Sequence, residues 1–355
     1  MIPVPHTNTA PASRTPAPAR PAGPDRSVLP MLCCLAALGL ALTLLGNGYW
    51  IKTFTSALAL SIAVAGVALL YGQLGLVSLA QYALVGAGGW IALRLVHGTG
   101  LPFGLCVLLG GIGSGLIGMI AGLPALRLRG LYLALVTLMI AGAYQVLITA
   151  TGFPDGGDGW LGRVHGTARQ TMPRPVLATG DTAYLIYVLV WLALILLLLE
   201  AHRRRKPGRA WALIRRGNAA ALAAGVDILR YQAWAFGLAG FCAGVGGALL
   251  AGGIGQLDGR AFHASESIML FALTVIAGAY HWLGVILAGI FLRAVPGLLT
   301  DFGVSGYVAT MCFGAALLHA LITAPRGIAG QWLDGLARLR HRRRPRETDD
   351  TGAAT

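Results

Sequence analysis

Apolar residues fill this chain in long runs, and the charges between the runs mark out its elements. Val28 to Gly46 carries no charge. Thr53 to Leu93 carries none either and is long enough for two membrane spans with a break near Gly72 to Gly75, since one span needs about 20 mostly apolar residues. Leu95 to Leu126, Gly130 to Pro154, Thr182 to Leu199 and Tyr231 to Leu257 hold one span each. Ser267 to Leu292 is interrupted at Gly278-Ala279-Tyr280-His281, which predicts a short helix over about 265–279 and another over about 283–300. Phe302 to Pro325 is the last apolar run. The pattern predicts an all-α polytopic integral membrane protein of about ten transmembrane helices, some of them broken.

Composition reinforces that reading. Of 355 residues, 56% are hydrophobic and only 11% charged, where a soluble domain carries about a quarter charged residues. So few charges cannot clothe a soluble particle of this size, which excludes an ordinary cytosolic enzyme and a secreted disulfide scaffold. Residues 1–27, rich in Pro, Ala, Ser, Thr and Arg without periodicity, are expected to be a disordered tail. Val28 to Gly46 reads as a first span, because the preceding tail is long for a signal peptide and no A-x-A site follows. Residues 28–333 then form the membrane domain, with an inner loop over about 201–232, and 334–355 form a charged, disordered tail.

The formal net charge of +14 would point to nucleic acid in a soluble protein. Here the excess sits in runs beside apolar segments, His202 to Lys206 and His341 to Arg344, where it sets orientation and meets anionic lipid headgroups. No basic stripe with interleaved aromatics appears, so nucleic acid is not an expected partner. Ten spans put both termini on one side. With the termini cytoplasmic, 20 of the 27 Lys and Arg fall inside. Lys52, Arg94, Arg163, Arg169, Arg174, Arg260 and Arg293 remain on the outer side or at span ends. A multi-pass protein of the cytoplasmic membrane with both termini inside is the expectation.

Polar residues within spans are costly and usually face a bundle interior or cavity. Ser78 and Gln81, Tyr144 with Gln145, and the group Gln256, His263 and Glu266 stand out. Ser78, Gln81, Gln145 and Glu266 are the candidates for lining a transport path. Glu266 also fits a first-turn acid stabilising a helix dipole, and the two glutamines equally fit interhelical hydrogen bonding. Arg293 is expected to snorkel to the outer interface. Small residues recur four apart at Gly111/Gly115, Gly118/Gly122 and Gly240/Gly244/Ala248, a spacing that lets helices pack closely. No catalytic constellation and no metal-ligand spacing appears, and the five cysteines read as small packing residues. A Walker A loop needs a Lys, and Lys52 and Lys206 follow no such pattern, so no cofactor is expected in this chain.

The inner loop carries a helical pattern from about Ala210 to Leu222 and then Gly225. A short helix ending at a glycine between two spans is a peg that a partner can grip. Ala220, Ala221 and Gly225 match the E-A-A-x-x-x-G loop of ABC importer permeases, with Ala219 where that motif has Glu. Gly75-Leu76-Val77-Ser78-Leu79-Ala80-Gln81 resembles the G-Q-x-S-L-G-[HQ] segment of LivM-type branched-chain amino acid permeases, with Leu76 replacing Gln. Residues 126–138 are similar to their L-R-L-R-G-x-Y-x-A-x-x-T-L segment, Thr151 to Gly162 to their T-G-G-x-x-G-L-x-G loop, and Pro325 to Gly330 to their closing P-x-G-[IL]-x-G segment. Arg216-Gly217-Asn218 is less acidic than the family's R-E-N-E.

The resemblance covers about residues 50–332 and implies an ABC importer permease fold. It also implies a second, LivH-type permease subunit, two ABC ATPase subunits that bind ATP and Mg, an extracytoplasmic solute-binding protein, and membrane lipids around the whole. Arg215, Arg216, Ala220, Ala221 and Gly225 would form the ATPase-coupling loop. The substrate would be a branched-chain or related hydrophobic amino acid, or alternatively urea or a short amide. Two readings from other classes compete. An ion-coupled secondary transporter needs intramembrane carboxylates, for which only Glu266 qualifies. A membrane-embedded enzyme needs clustered His, Asp or Glu at one interface, and none is seen.

Overall fold

The computed structural model describes residues 28–125, 128, 130–164, 169–303, 305, 308, 311, 314, 315, 318 and 327–332. The two predicted tails, and most of the run Phe302 to Pro325, lie outside the described residues. The chain is all helical in its regular structure: α1 (Val28–Leu45), α2 (Gly48–Leu69), α3 (Gln81–Thr99), α4 (Phe103–Ala125), α5 (Leu131–Thr151), α6 (Asp181–Arg204), α7 (Lys206–Arg216), α8 (Asn218–Ala223), α9 (Ile228–Ile254), α10 (Ala264–Ala277) and α11 (Trp282–Asp301). Among the described residues six helices are long and apolar enough to cross a membrane: α2 with its π-helical extension, α4, α5, α6, α9 and α11. The expected count of ten included α1 and α10, which are apolar but short, and α3, whose last turns carry Arg94 and His97.

Two helices form the centre. The apolar window of α9 is buried over 89% of its length and that of α2 over 83%, against 28% for α5. A helix apolar all round belongs in the interior. α9 packs on α2, α3 and α4, and the seam with α4 is built from small residues. A methyl group added at Gly244 would lie 2.5 Å from Ser114 Cβ and 2.6 Å from the Gly110 carbonyl oxygen. The four-residue glycine spacing therefore serves packing within the chain, where backbone-to-backbone approach gives the dispersion contact that replaces a hydrophobic drive in lipid.

Both predicted breaks are present. α2 ends in a π-helical turn, Leu70–Leu74, closed by Gly75 at φ 73°. Residues 75–80 then have no regular structure until α3 begins at Gln81. α10 ends at Gly278, φ 112°, and α11 starts after His281. Gly72 lies against the Ala279 carbonyl, so the two breaks touch. The short helical stretch 327–332 docks at the same place, with Gly327 against Gly278 and Ala329 buried. The ends of α2, α6 and α10 and the starts of α7, α9 and α11 therefore share one face. Lys52, Arg94, Arg174, residues 152–164 and 169–181 and the end of α9 share the other, where Lys52 and Arg174 meet Asp181 at 3.5 Å and 2.7 Å.

The segment expected as an inner loop over 201–232 is largely helical. α6 continues to Arg204 and α9 begins at Ile228, capped by the Asp227 carboxylate, which accepts from the Arg230 N–H at 3.2 Å. The single helix expected between Ala210 and Leu222 is two, α7 and α8, because Gly217 interrupts it.

Candidate functional site: a polar layer and a peg

Non-helical backbone is tolerated at membrane depth only where protein satisfies its polar groups. The 75–80 segment meets that condition. Thr137 Oγ1 on α5 accepts from the Leu79 N–H at 2.8 Å, and Ser267 Oγ on α10 accepts from the Tyr82 N–H at 3.2 Å. Ser78 is buried within the segment. Gln81 is 1% exposed. Its Nε2 donates to the Ala239 carbonyl of α9 at 2.8 Å and the Ala63 carbonyl of α2 at 3.2 Å, while its Oε1 has no partner among the described residues. Gln81 thus ties three helices together at the start of α3.

The start of α10 is held by Gln145 of α5. Gln145 Oε1 accepts from the Ala264 N–H at 2.9 Å, and its Nε2 lies 3.0 Å from His263 Nδ1. Glu266, half-buried, stands in the first turn of α10. Its neighbour Ser267 makes the contact to Tyr82, so α3, α5 and α10 bring the surroundings of all four path candidates to one level. Within that level Gln81 and Gln145 act as hydrogen-bonding ties, and Ser78 is enclosed. Glu266 and His263 remain accessible.

Arg293 lies six residues before Leu299, where the apolar α11 span ends, roughly 9 Å at 1.5 Å per residue, a distance that a long snorkelling side chain covers in large part. Its Nη2 is 3.4 Å from the Tyr82 hydroxyl.

The peg lies on the opposite side of the break. α7 is strongly amphipathic and buries Ala210, Trp211 and Ile214 against Leu69, Leu70 and Leu74 of the α2 end and Ala235 and Phe236 of α9. Trp211 is fully enclosed, and its Nε1 donates to the Tyr231 carbonyl at 2.9 Å. Its role was not read from the sequence, although an aromatic on the apolar face of a short amphipathic helix marks an anchor. Arg215 donates to the Gly72 carbonyl in the π-turn and, at 3.1 Å, to the Tyr280 hydroxyl. Ala221 is buried, while Arg216, Ala220 and Leu222 are exposed. Gly225 closes α8 at φ 71°, donating to the Leu222 carbonyl at 2.9 Å, and the Val226 N–H reaches back to Ala221 at 3.0 Å. These are left-handed closing bonds of a helix end.

The far face carries a turn centred on Asp155. Asp155, 7% exposed, accepts from the Val164 N–H at 2.6 Å and meets Arg163 and Arg169 at 3.7 Å and 3.6 Å. Trp90 and Arg94 of α3 donate to the carbonyls of Gly152 and Gly159. The glycine-rich stretch is a turn built around a buried carboxylate.

Comparison with known proteins agrees with this architecture. The family model described as branched-chain amino acid transport system / permease component matches residues 49–321. The chain is 27% identical over 306 residues to the high-affinity branched-chain amino acid transport system permease protein LivM of Salmonella typhimurium, covering 76% of this chain and 69% of that protein. It is 26% identical over 303 residues to LivM of Escherichia coli K12, covering 75% and 69%. No solved structure matches the chain. With a polytopic bundle, two broken helices and an amphipathic peg on one face, the chain belongs to the permease component family of branched-chain amino acid transport systems.

Proposed function

We propose that this chain is one half of the translocation path of an ATP-driven importer for branched-chain or related hydrophobic amino acids. A second, LivH-type permease completes the path, two ATPase subunits dock on the inner peg, and an external binding protein delivers the solute. The face carrying α7 and α8 is cytoplasmic, in line with the excess of Lys and Arg on that side. The relatives' names supply the substrate class.

The observation that carries the reading is the attachment of the peg. α7 is joined through Arg215 to both breaks at once, to Gly72 at the end of α2 and to Tyr280 between α10 and α11. A displacement of α7 by closing ATPases is transmitted to the two segments that lead to the mid-membrane layer. Rigid-body motion of packed helices about such breaks is an ordinary way to alternate between outward and inward states, and both ATP and loaded binding protein bias it. An ion-coupled mechanism would rest on Glu266 alone.

The test is purification of the chain with its native partners. Stoichiometric ATPase and second permease subunits are expected, together with a binding protein whose melting temperature rises with Leu, Ile or Val in a thermal-shift screen. A chain that purifies alone and transports on an ion gradient would overturn the proposal. A binding protein that responds to urea and not to amino acids would move the substrate to a short amide.

A further inference from the structure

Two turns on the face opposite the peg hold apolar side chains out into solvent. Trp160 is 84% exposed, and Val176 and Leu177 are each 94% exposed. Neither turn is loose. The first is closed by the Asp155 and Gly157 N–H groups, which donate to the Gly162 carbonyl at 2.9 Å and 3.1 Å. Arg94 fixes it to α3 by donating to the Gly159 carbonyl at 2.7 Å. The second is pinned by one guanidinium: Arg174 donates to the carbonyls of Gly252 and Gly253 at the end of α9, to the Thr179 carbonyl and to the Asp181 carboxylate. Such rigid presentation lowers the entropy lost when a partner binds.

Lipid does not account for these side chains. The charge-free part of α6, Thr182 to Leu199, is roughly 27 Å long, close to the thickness of a hydrocarbon core of about 30 Å. Asp181 therefore stands at the edge of the core, and the turn Val176–Ala178 precedes it on the aqueous side. Val and Leu gain nothing at headgroup level, where Trp and Tyr are the residues enriched. The surroundings are cationic. Arg94, Arg163 and Arg169 outnumber Asp155 and Asp158 around the first turn, and Lys52 and Arg174 share Asp181 beside the second. Lys52, Ser56, Arg174 and Asp181 line a cavity of about 370 Å³ that a partner's side chain can enter. An exposed Trp beside arginines is a composition enriched in protein interfaces, apolar side chains rimmed by polar groups mark an interaction site, and surplus cations call for an acidic rim opposite. Resting on the importer reading above, we infer that the outward sides of turns 155–162 and 175–180 are the seat of the external solute-binding protein. Trp160, Val176 and Leu177 enter apolar depressions of that protein, and carboxylates on its rim meet the surplus charge at Arg169 and Lys52.

The experiment measures binding of the leucine-loaded binding protein to the reconstituted complex in lipid nanodiscs, with ATP-driven leucine uptake followed in proteoliposomes. The variants are Trp160→Ser, the double change Val176→Ser with Leu177→Ser, and Lys52→Gln. Both apolar variants are expected to raise Kd at least tenfold, with uptake restored to within twofold of native by saturating binding protein. Lys52→Gln is expected to raise Kd at least threefold at low salt and less at high salt. A Kd within twofold of native in either apolar variant would overturn the seat. That Kd with the second permease lost on purification would give the turn to the permease pair, and with a lowered melting temperature in liposomes would give it to lipid; both contradict the inference. If one apolar variant fails to assemble, the other decides by the same thresholds. A native Kd for Lys52→Gln at low salt would overturn the acidic rim. A native complex that binds no solute-binding protein is a separate result, which strikes the importer reading itself.

Discussion

The guanidinium of Arg215 lies over the ring of Tyr280, 5.0 Å from its centroid, and donates to its hydroxyl at 3.1 Å. This pairing fastens the peg to the break between α10 and α11. Because Arg215 also bonds to Gly72, one side chain spans both breaks. Replacing it with Met keeps the apolar stem and removes the fork. A stacked cation contributes about 0.5–2 kcal/mol, too little for its loss to unfold a peg anchored by Trp211. Arg215→Met is expected to leave assembly intact and to lower ATP-driven uptake at least tenfold. Uptake at the native rate would remove Arg215 from the coupling route.

Gly225 tests the peg from its other end. Its φ of 71° is open to glycine and closed to proline, which is held near −65°. Proline would also delete the N–H that donates to Leu222. Gly225→Pro should therefore displace the exposed turn of α8 while α9, begun by its own Asp227 cap, stays in place. Membrane insertion at native levels with loss of ATP-driven uptake is expected. Retained uptake would show that the shape of this turn does not matter.

Gly244 sits where α9 crosses α4, and a side chain there meets the backbone of Gly110 and Gly111. Backbone cannot swing aside as the end of a flexible side chain does, so overpacking costs about 1–3 kcal/mol. Gly244→Val is expected to lower the melting temperature in detergent by several degrees. An unchanged melting curve would mean that the seam is looser than its contacts imply.

His281 gives a pH signature on the peg's face. Its Nδ1 accepts from the Leu283 N–H at 3.2 Å, capping α11, which requires that nitrogen to be unprotonated. Burial holds the imidazole below its usual value, with Arg203 nearby acting in the same direction and Glu200 opposing. A histidine lowered in the folded state contributes stability that is present above its unfolded value of about 6.5 and is lost as pH falls through the folded value. Thermal stability should drop between pH 7 and pH 5, and His281→Asn, which can still cap but does not titrate, should flatten the drop. An equal drop in that variant would assign the pH dependence to other groups.

Much of this layout was legible in the chain because lipid imposes strong rules. Breaks at Gly72–Gly75 and Gly278–His281 followed from glycines interrupting charge-free runs, and the structure has both. The glycine spacing foretold close packing, although which helices would meet was set only by tertiary structure. Two local features escaped. Gly217 divides the peg by leaving the helical conformation at φ 155°, which glycine adopts without a Cβ penalty, and propensity alone does not fix such an end. The pairing of Arg293 with Tyr82 joins elements more than two hundred residues apart in sequence. Gln81 and Gln145 fell evenly between tie and path lining on sequence, and the structure gives both amides interhelical hydrogen bonds.

The most direct measurement is leucine uptake into proteoliposomes that hold the purified complex, with loaded binding protein outside and ATP inside. Accumulation that depends on ATP and on the binding protein, and that persists when proton and sodium gradients are collapsed, is the predicted result. Accumulation that follows an ion gradient and ignores ATP would contradict the importer reading.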